Sequence, residues 1–128
     1  MIPQTTEQDY RSSLDAAISS IEGRWKAPII ATLAQHGGPL RFNQLLSLVP
    51  GISPRLLTVQ LRDLEKDSIV EREVLSVVPK KVQYRLTSRG LSLIPIFDQL
   101  AEWDMLGKYR DMYGFESESS ASEDGLNA

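Results

Sequence analysis

The chain has 128 residues, of which 41% are hydrophobic and 24% are charged, and its formal net charge is -3. This composition is typical of one soluble domain. The absence of a long apolar run and of a signal-peptide pattern predicts a cytoplasmic protein that does not enter a membrane. With no cysteine and a single histidine, His36, the sequence excludes disulfides, thiol chemistry and multi-histidine metal sites, and we expect no cofactor.

The charges are unevenly distributed along the chain. Four of the 17 acidic residues lie near the C-terminus, at Glu116, Glu118, Glu123 and Asp124. Between residues 41 and 89 the sequence has nine basic and five acidic residues, a local charge of +4. Because the local field decides whether phosphates are attracted, this window is a candidate nucleic-acid-binding region despite the acidic total.

The first two predicted helices carry most of the early apolar residues. Residues 6–21 have apolar side chains at helical spacing, and Thr6 is a candidate N-cap. This stripe either packs on its own domain or meets a second copy, and its spacing fits both. Residues 25–35 are apolar almost all round, which is typical of a central buried helix that the glycines at 37 and 38 terminate.

A helix-turn-helix pattern follows. Residues 41–48 predict a short amphipathic helix, and residues 49–52 break it. Ser53 can cap the next helix, and Pro54 suits its first position. One face of this helix is apolar (Leu57, Leu61, Leu64), and the opposite face is largely basic (Arg55, Val59, Arg62, Lys66), with Thr58 at its edge. An ordinary surface helix could show this pattern, and it is the neighbouring elements that favour DNA binding.

Two β-prone segments then predict a hairpin. Residues 69–75 and 82–86 are the strands, and the loop between them carries Lys80 and Lys81. Exposed lysines are common at loop tips. After a helix-turn-helix, however, a basic hairpin is typical of the wing of a winged helix.

The C-terminal part begins with Thr87, a candidate cap for a final helix that is rich in apolar residues up to Trp103. Pro95 should kink this helix or begin it afresh. The apolar surplus predicts a dimer interface. We therefore expect a winged helix-turn-helix domain over residues 6–106 and an acidic, Ser-rich tail over residues 107–128 that is largely disordered.

Five segments of the chain resemble the HxlR family of bacterial transcriptional regulators, which are relatives of the MarR type. They are GRWK at 23–26, LRFNQL at 40–45, PGISPRLLT at 50–58, QLRDLE at 60–65 and VQYRLTSRG at 82–90. The resemblance implies a mainly α fold with a small β-hairpin wing that dimerises through its N- and C-terminal helices. It also implies a palindromic operator, a recognition helix over residues 53–66 and a wing over residues 76–81.

The sequence departs from the family in three places. Many members sense oxidants with a cysteine before the first core helix, and this chain has none, so that mechanism is not available to it. Ser68 stands where the family usually has glycine, so we expect a left-handed backbone there. The wing reads Val78-Pro79 where two prolines are more common.

Together with the resemblance, these patterns predict a transcriptional regulator that binds double-stranded DNA in a sequence-specific manner as a homodimer. We expect a repressor, although the residues themselves do not distinguish a repressor from an activator. Arg55 and Arg62 could bind guanine, while Thr58 and Val59 could contact thymine methyl groups at a helix that Ser53 and Pro54 begin. Phosphate contacts are expected from Arg41, Lys80, Lys81 and Arg85.

Two alternatives remain open at this point. One is a sensor with an unidentified small-molecule effector at an aromatic-lined dimer interface near Trp25, Phe97 and Trp103, although such aromatics are more often plain core. The other is a winged helix used only for protein–protein contacts. An enzyme is the weakest candidate, because no motif with a nucleophile or a paired acid and base is present.

Overall fold

The computed structural model describes residues 6–113, with side chains described as far as Arg110. The chain divides into two units, Met1–Ser92 and Leu93–Ala128. The helices are α1 (Glu7–Ile21), α2 (Lys26–His36), α3 (Phe42–Leu48), α4 (Pro54–Lys66), α5 (Ser88–Leu91) and α6 (Ile94–Tyr113), and the strands are β1 (Leu40–Arg41), β2 (Val70–Ser76) and β3 (Lys81–Leu86).

The predicted helix starts are confirmed by their caps. The Thr6 hydroxyl accepts a hydrogen bond from the Asp9 amide at 3.1 Å, and the Ser53 hydroxyl accepts one from the Leu56 amide at the same distance. Pro54 occupies the first turn of α4, where its missing N–H leaves no hydrogen bond unmade. These local interactions determine where each helix begins, whatever packs against it later.

The strands form an antiparallel sheet in the order β1-β3-β2. The predicted hairpin is confirmed, and in it Arg72 lies opposite Tyr84, and Val74 opposite Val82. The sequence did not predict β1, which pairs Leu40 with Tyr84. A strand of two residues that runs directly into α3 is too short to show the alternation of a longer strand.

The core of the first unit lies between α2, α3, α4 and the sheet. Helix α4 packs against β2, and α2 packs against α3 and β3. The buried apolar residues come from every one of these elements and from the turn before α4: Ile29, Ile30, Leu33, Leu40, Leu45, Val49, Ile52, Leu57, Leu61, Leu64, Ile69 and Val70. This packing holds α4 and the hairpin on one framework.

The junction between α4 and β2 is tightly constrained. Ser68 has a φ of 61°, as the family resemblance implies, and its amide donates to the Glu65 carbonyl at 3.0 Å. The Thr87 hydroxyl donates to the Ser68 carbonyl at 2.5 Å and accepts from the Gly90 amide at 3.0 Å. A Cβ at Gly90 would overlap the Ile69 carbonyl, so α5 reaches this close approach only with glycine.

The C-terminal helix starts anew at Pro95. Helix α5 ends at Leu91, and Pro95 lies in the first turn of α6, where proline is tolerated. Helix α6 continues to Tyr113 and so includes residues 107–113, which the sequence placed in the tail. Within it, Lys108 and Asp104 form an ion pair at 2.9 Å. The rest of the predicted tail, residues 114–128, lies outside the described residues. No helix within residues 6–113 is long and apolar enough to cross a membrane.

Candidate nucleic-acid interface

A groove with a volume of about 810 Å³ lies between α3, α4 and the wing. Its walls come from three separate parts of the first unit: the start of α3, the exposed side of α4 and the hairpin. Its basic residues are Arg41, Arg62, Arg72, Lys80 and Lys81, and its other polar lining residues include Asn43, Gln44, Thr58, Glu65 and Tyr84. We call this the basic groove. Five cations in one concave surface form an attractive site for a polyanion.

Burial of the leucines determines which side chains of α4 stay outside. Leu57, Leu61 and Leu64 are at most 1% exposed, so the opposite side of the helix has to face solvent. The residues predicted to read DNA divide between two surfaces. Thr58 and Arg62 line the basic groove, while Arg55 and Val59 are exposed on the adjoining side of α4 and are not among the groove's lining residues.

The alternation of the hairpin selects which of its residues face the groove. Arg72, Val82 and Tyr84 lie on one side of the sheet and line the groove. Lys80 and Lys81 join them from the tip, as the sequence predicts for the wing. At the other end, Arg41 is held by its backbone amide, which donates to the Gln44 side-chain oxygen at 2.9 Å.

Arg72 was missed as a site residue by sequence reasoning. It was counted only in the local charge, because a strand pattern defines two faces without saying which of them meets the neighbouring helix. Its alternation with Glu71 and Glu73 was a usable signal: a basic residue between two acidic ones lies on the opposite face from both.

Arg85 lies on the other face of the sheet, and the structure does not bring it to the groove. Its guanidinium donates to both Glu73 carboxylate oxygens, at 2.9 and 3.0 Å, and Gln83 donates to the same carboxylate at 2.5 Å. The Gln83 hydrogen bond first, and then those from Arg85, hold the pKa of Glu73 below its usual value. The hydrogen bonds to Glu73, and then its negative charge, raise the pKa of Arg85.

The cations of the groove are available to a ligand. Among the described residues, none forms an ion pair or a side-chain hydrogen bond with the charged groups of Arg41, Arg62, Arg72, Lys80 or Lys81. On another side of α4, Asp63 lies 3.8 Å from the ammonium of Lys26, which is mostly buried. Asp63 is thus paired on that side, while the five cations on the groove side have no partner among the described residues.

The three aromatic residues of the predicted ligand pocket lie in different units. Trp25 is half-buried in the first unit, where the Arg24 guanidinium lies 4.7 Å from its ring centroid. The edge of the Trp25 ring faces Gly51, and a Cβ added to this glycine would lie 3.6 Å from the ring. It therefore packs against the turn between α3 and α4. Phe97 and Trp103 belong to α6, where Phe97 is half-buried and Trp103 is 75% exposed.

Helices α3 and α4 with the turn between them form a helix-turn-helix, and the β2–β3 hairpin is its wing. A cationic second helix beside a cationic wing defines the winged helix-turn-helix class of DNA-binding proteins.

The comparisons with known proteins give the family. The HxlR-like helix-turn-helix family model matches residues 20–111, and the chain belongs to this family of transcriptional regulators. An uncharacterized HTH-type transcriptional regulator of Methanothermobacter thermautotrophicus is 40% identical over 117 residues, which cover 91% of this chain and 83% of the relative. The resemblance drawn from the five sequence segments is thereby confirmed.

Solved structures of regulators are similar over most of the chain. A protein of Enterococcus faecalis V583 assigned to the MarR family of transcriptional regulators has a TM-score of 0.76 and 32% identity, covering 87% of this chain and 99% of that one. The reduced form of the transcriptional regulator YodB from Bacillus subtilis has a TM-score of 0.65 and 37% identity, covering 71% of this chain and 87% of that one. YodB has also been solved in a quinone-bound form.

Proposed function

We propose that this transcriptional regulator is a homodimeric repressor that binds a palindromic operator in double-stranded DNA. The observation that carries the proposal is the basic groove, in which Arg62 on the exposed side of α4 and four cations from its neighbours have no partners among the described residues. A regulator that binds a prokaryotic chromosome works in the cytoplasm, and we propose that location.

The residues of α4 divide between reading bases and holding position. Arg55 and Arg62 are proposed to bind the acceptor pair of guanine in the major groove, and Thr58 and Val59 to contact thymine methyl groups. Ser53 and Pro54 begin α4 at the end that is proposed to enter the DNA major groove first. The hydrogen bond from the Leu56 amide to the Ser53 hydroxyl fixes this end of the helix.

Phosphate contacts are proposed for Arg41, Arg72, Lys80 and Lys81, which surround the base-reading helix from α3 and the wing. Such contacts supply affinity that falls with salt and carries little sequence information. Arg85 is left out of the proposed contacts, because its guanidinium is already bound to Glu73 on the other face of the sheet.

We propose that a second copy of the chain packs against the exposed apolar stripe of α1. None of the described residues of α1 is buried, and its stripe of Tyr10, Leu14 and Ile18 stays exposed. An isolated helix of this length is marginal in water. In the other unit, α6 also exposes large apolar side chains, among them Ile96, Leu100 and Trp103. Two copies related by a twofold axis would present two α4 helices, and this supports a palindromic operator.

If a signal releases the protein from its operator, we propose that the protein does not detect this signal with a thiol, because the chain has no cysteine. A small-molecule effector is the second candidate function. The exposed Trp103 ring favours it, since an aromatic side chain left in solvent is a ready contact for an apolar ligand.

The test begins with selection of duplexes from a random-sequence pool by the purified wild-type protein. We expect a palindromic motif. Arg55→Ala should cost about 1–3 kcal/mol on the selected duplex and relax the preference at one position in each half-site.

The Lys80→Ala, Lys81→Ala double variant is the matched control. It should weaken binding to the selected and to a shuffled duplex alike and flatten the salt dependence. Failure of the wild-type protein to shift any duplex at low salt would overturn the proposal and favour a winged helix used for protein contacts.

A further inference from the structure

Glu65 is the acidic exception in the basic groove. Among the described residues that line it, five are basic and Glu65 alone is acidic. On α4 it lies three residues after Arg62 and seven after Thr58, spacings that place all three side chains on the same side of the helix.

The Glu65 side chain has no partner within the described part of the chain. No described residue forms an ion pair or a hydrogen bond with its carboxylate, although Arg62 and Arg72 line the same groove. It is also exposed, so it contributes nothing to the core.

Its place in the helix does not explain it either. Glu65 lies in the last turn of α4, where the carbonyl ends of the helix dipole favour cations and disfavour a carboxylate. Neither local helix stability nor packing therefore accounts for an acidic residue here.

Toward DNA, a carboxylate in this groove has two opposite effects. It repels phosphates, and this weakens any complex in which the groove only follows the backbone. It can also accept a hydrogen bond from the N4 amino group of cytosine, a donor that other base pairs do not present in the same place. The repulsion lowers the affinity for all DNA, and the hydrogen bond offsets it only where a cytosine is correctly placed, so that the two effects together favour one sequence over the rest.

We propose that Glu65 is a specificity-determining residue, which lowers affinity for non-cognate DNA and binds the amino group of a cytosine in the operator. This inference rests on the proposed function, since it refines what the same groove recognises. It differs from the roles given to the arginines, because it acts mainly by penalising the wrong duplex.

The experiment compares Glu65→Gln with Glu71→Gln. Both substitutions remove one negative charge at an exposed position, but Glu71 lies on the face of β2 away from the groove. Each variant and the wild type are used to select duplexes from a random-sequence pool, and the dissociation constants for the wild-type motif and a shuffled duplex are measured at one salt concentration.

We expect Glu65→Gln to reduce the ratio of shuffled to cognate dissociation constants about tenfold, with much of the change arising from tighter binding to the shuffled duplex. The selected motif should lose its preference for cytosine at one position in each half-site. Glu71→Gln should leave the ratio within about twofold of wild type.

Two results would overturn the inference: an unchanged ratio, which includes tighter binding of both duplexes by the same factor, or an equal loss of discrimination in Glu71→Gln. In each of these the wild-type protein still selects a motif, so the proposed function stands. If the wild type selects nothing, the proposed function fails and this inference fails with it, and the two failures are thereby distinguished.

Discussion

Helices α1 and α4 both carry an apolar stripe at helical spacing, and the two stripes have opposite outcomes. In α4 all three leucines of the apolar stripe are buried, and cations remain on the outside. In α1 no described residue is buried, and Tyr10, Leu14 and Ile18 are 61%, 45% and 48% exposed.

This difference in burial indicates which face of each helix is available to a partner. Where the chain covers the apolar stripe itself, the polar side is left for a partner, and in α4 that side is cationic. Where the stripe is left open, the stripe is the surface that we propose a partner covers. An apolar stripe at helical spacing thus supports the proposed DNA-binding face in one helix and the proposed dimer face in the other.

The largest effect is expected from breaking the covered stripe. Leu57→Ala should lower the free energy of unfolding by about 2–5 kcal/mol, because it leaves a cavity under α4. Urea denaturation followed by circular dichroism measures this change. Val59→Ala, on the exposed side of the same helix, should change stability by less than about 0.5 kcal/mol. A comparable loss in both variants would show that α4 is not held by its leucine face.

A charge placed in the open stripe should separate the proposed dimer. Leu14→Glu would bury a carboxylate at the interface, and we expect the dimer dissociation constant to rise at least about a hundredfold. Sedimentation equilibrium across a range of protein concentrations measures it. Ser12→Glu adds the same charge on the opposite side of α1 and should leave the dimer intact. A wild-type protein that sediments as a monomer would remove the basis for this prediction.

The smallest effect is expected in the wing, where two arginines lie on opposite faces of one hairpin. Arg72→Gln should reduce the slope of log affinity against log salt by about 0.9 for each subunit that loses a phosphate contact. Arg85→Gln should leave that slope unchanged and instead raise the pKa of Glu73 toward its usual value, as measured by an NMR titration. Equal slopes in the two variants would contradict the assignment of the hairpin faces.

Most of the fold could be predicted from the sequence. The caps at Thr6 and Ser53 were readable, because each depends on interactions within a few residues along the chain. Pro95 predicted a kink or a fresh start without deciding between them, and the left-handed backbone of Ser68 was implied by the family resemblance. Helix α6 continues to Tyr113, past residue 106, where the sequence analysis placed the start of the tail.

The candidate site was only partly predictable. Lys80, Lys81, Arg41 and Arg62 were identified from their charge and position, and all four line the groove. Arg72 was not, because its role depends on which face of the hairpin packs toward α4. The lack of partners for the groove cations among the described residues was not predictable either, because it depends on how residues distant in the chain are arranged in space.

By itself, the sequence determined the helix-turn-helix, the wing and the leucine face that orients α4, since apolar spacing and capping residues act locally. Only the tertiary structure decided that Arg72 and Glu65 line the same groove, while Arg85 is bound to Glu73 on the opposite face of the sheet. The physical reason is that a strand exposes two faces with equal regularity, and the packing of α4 against β2 selects one of them.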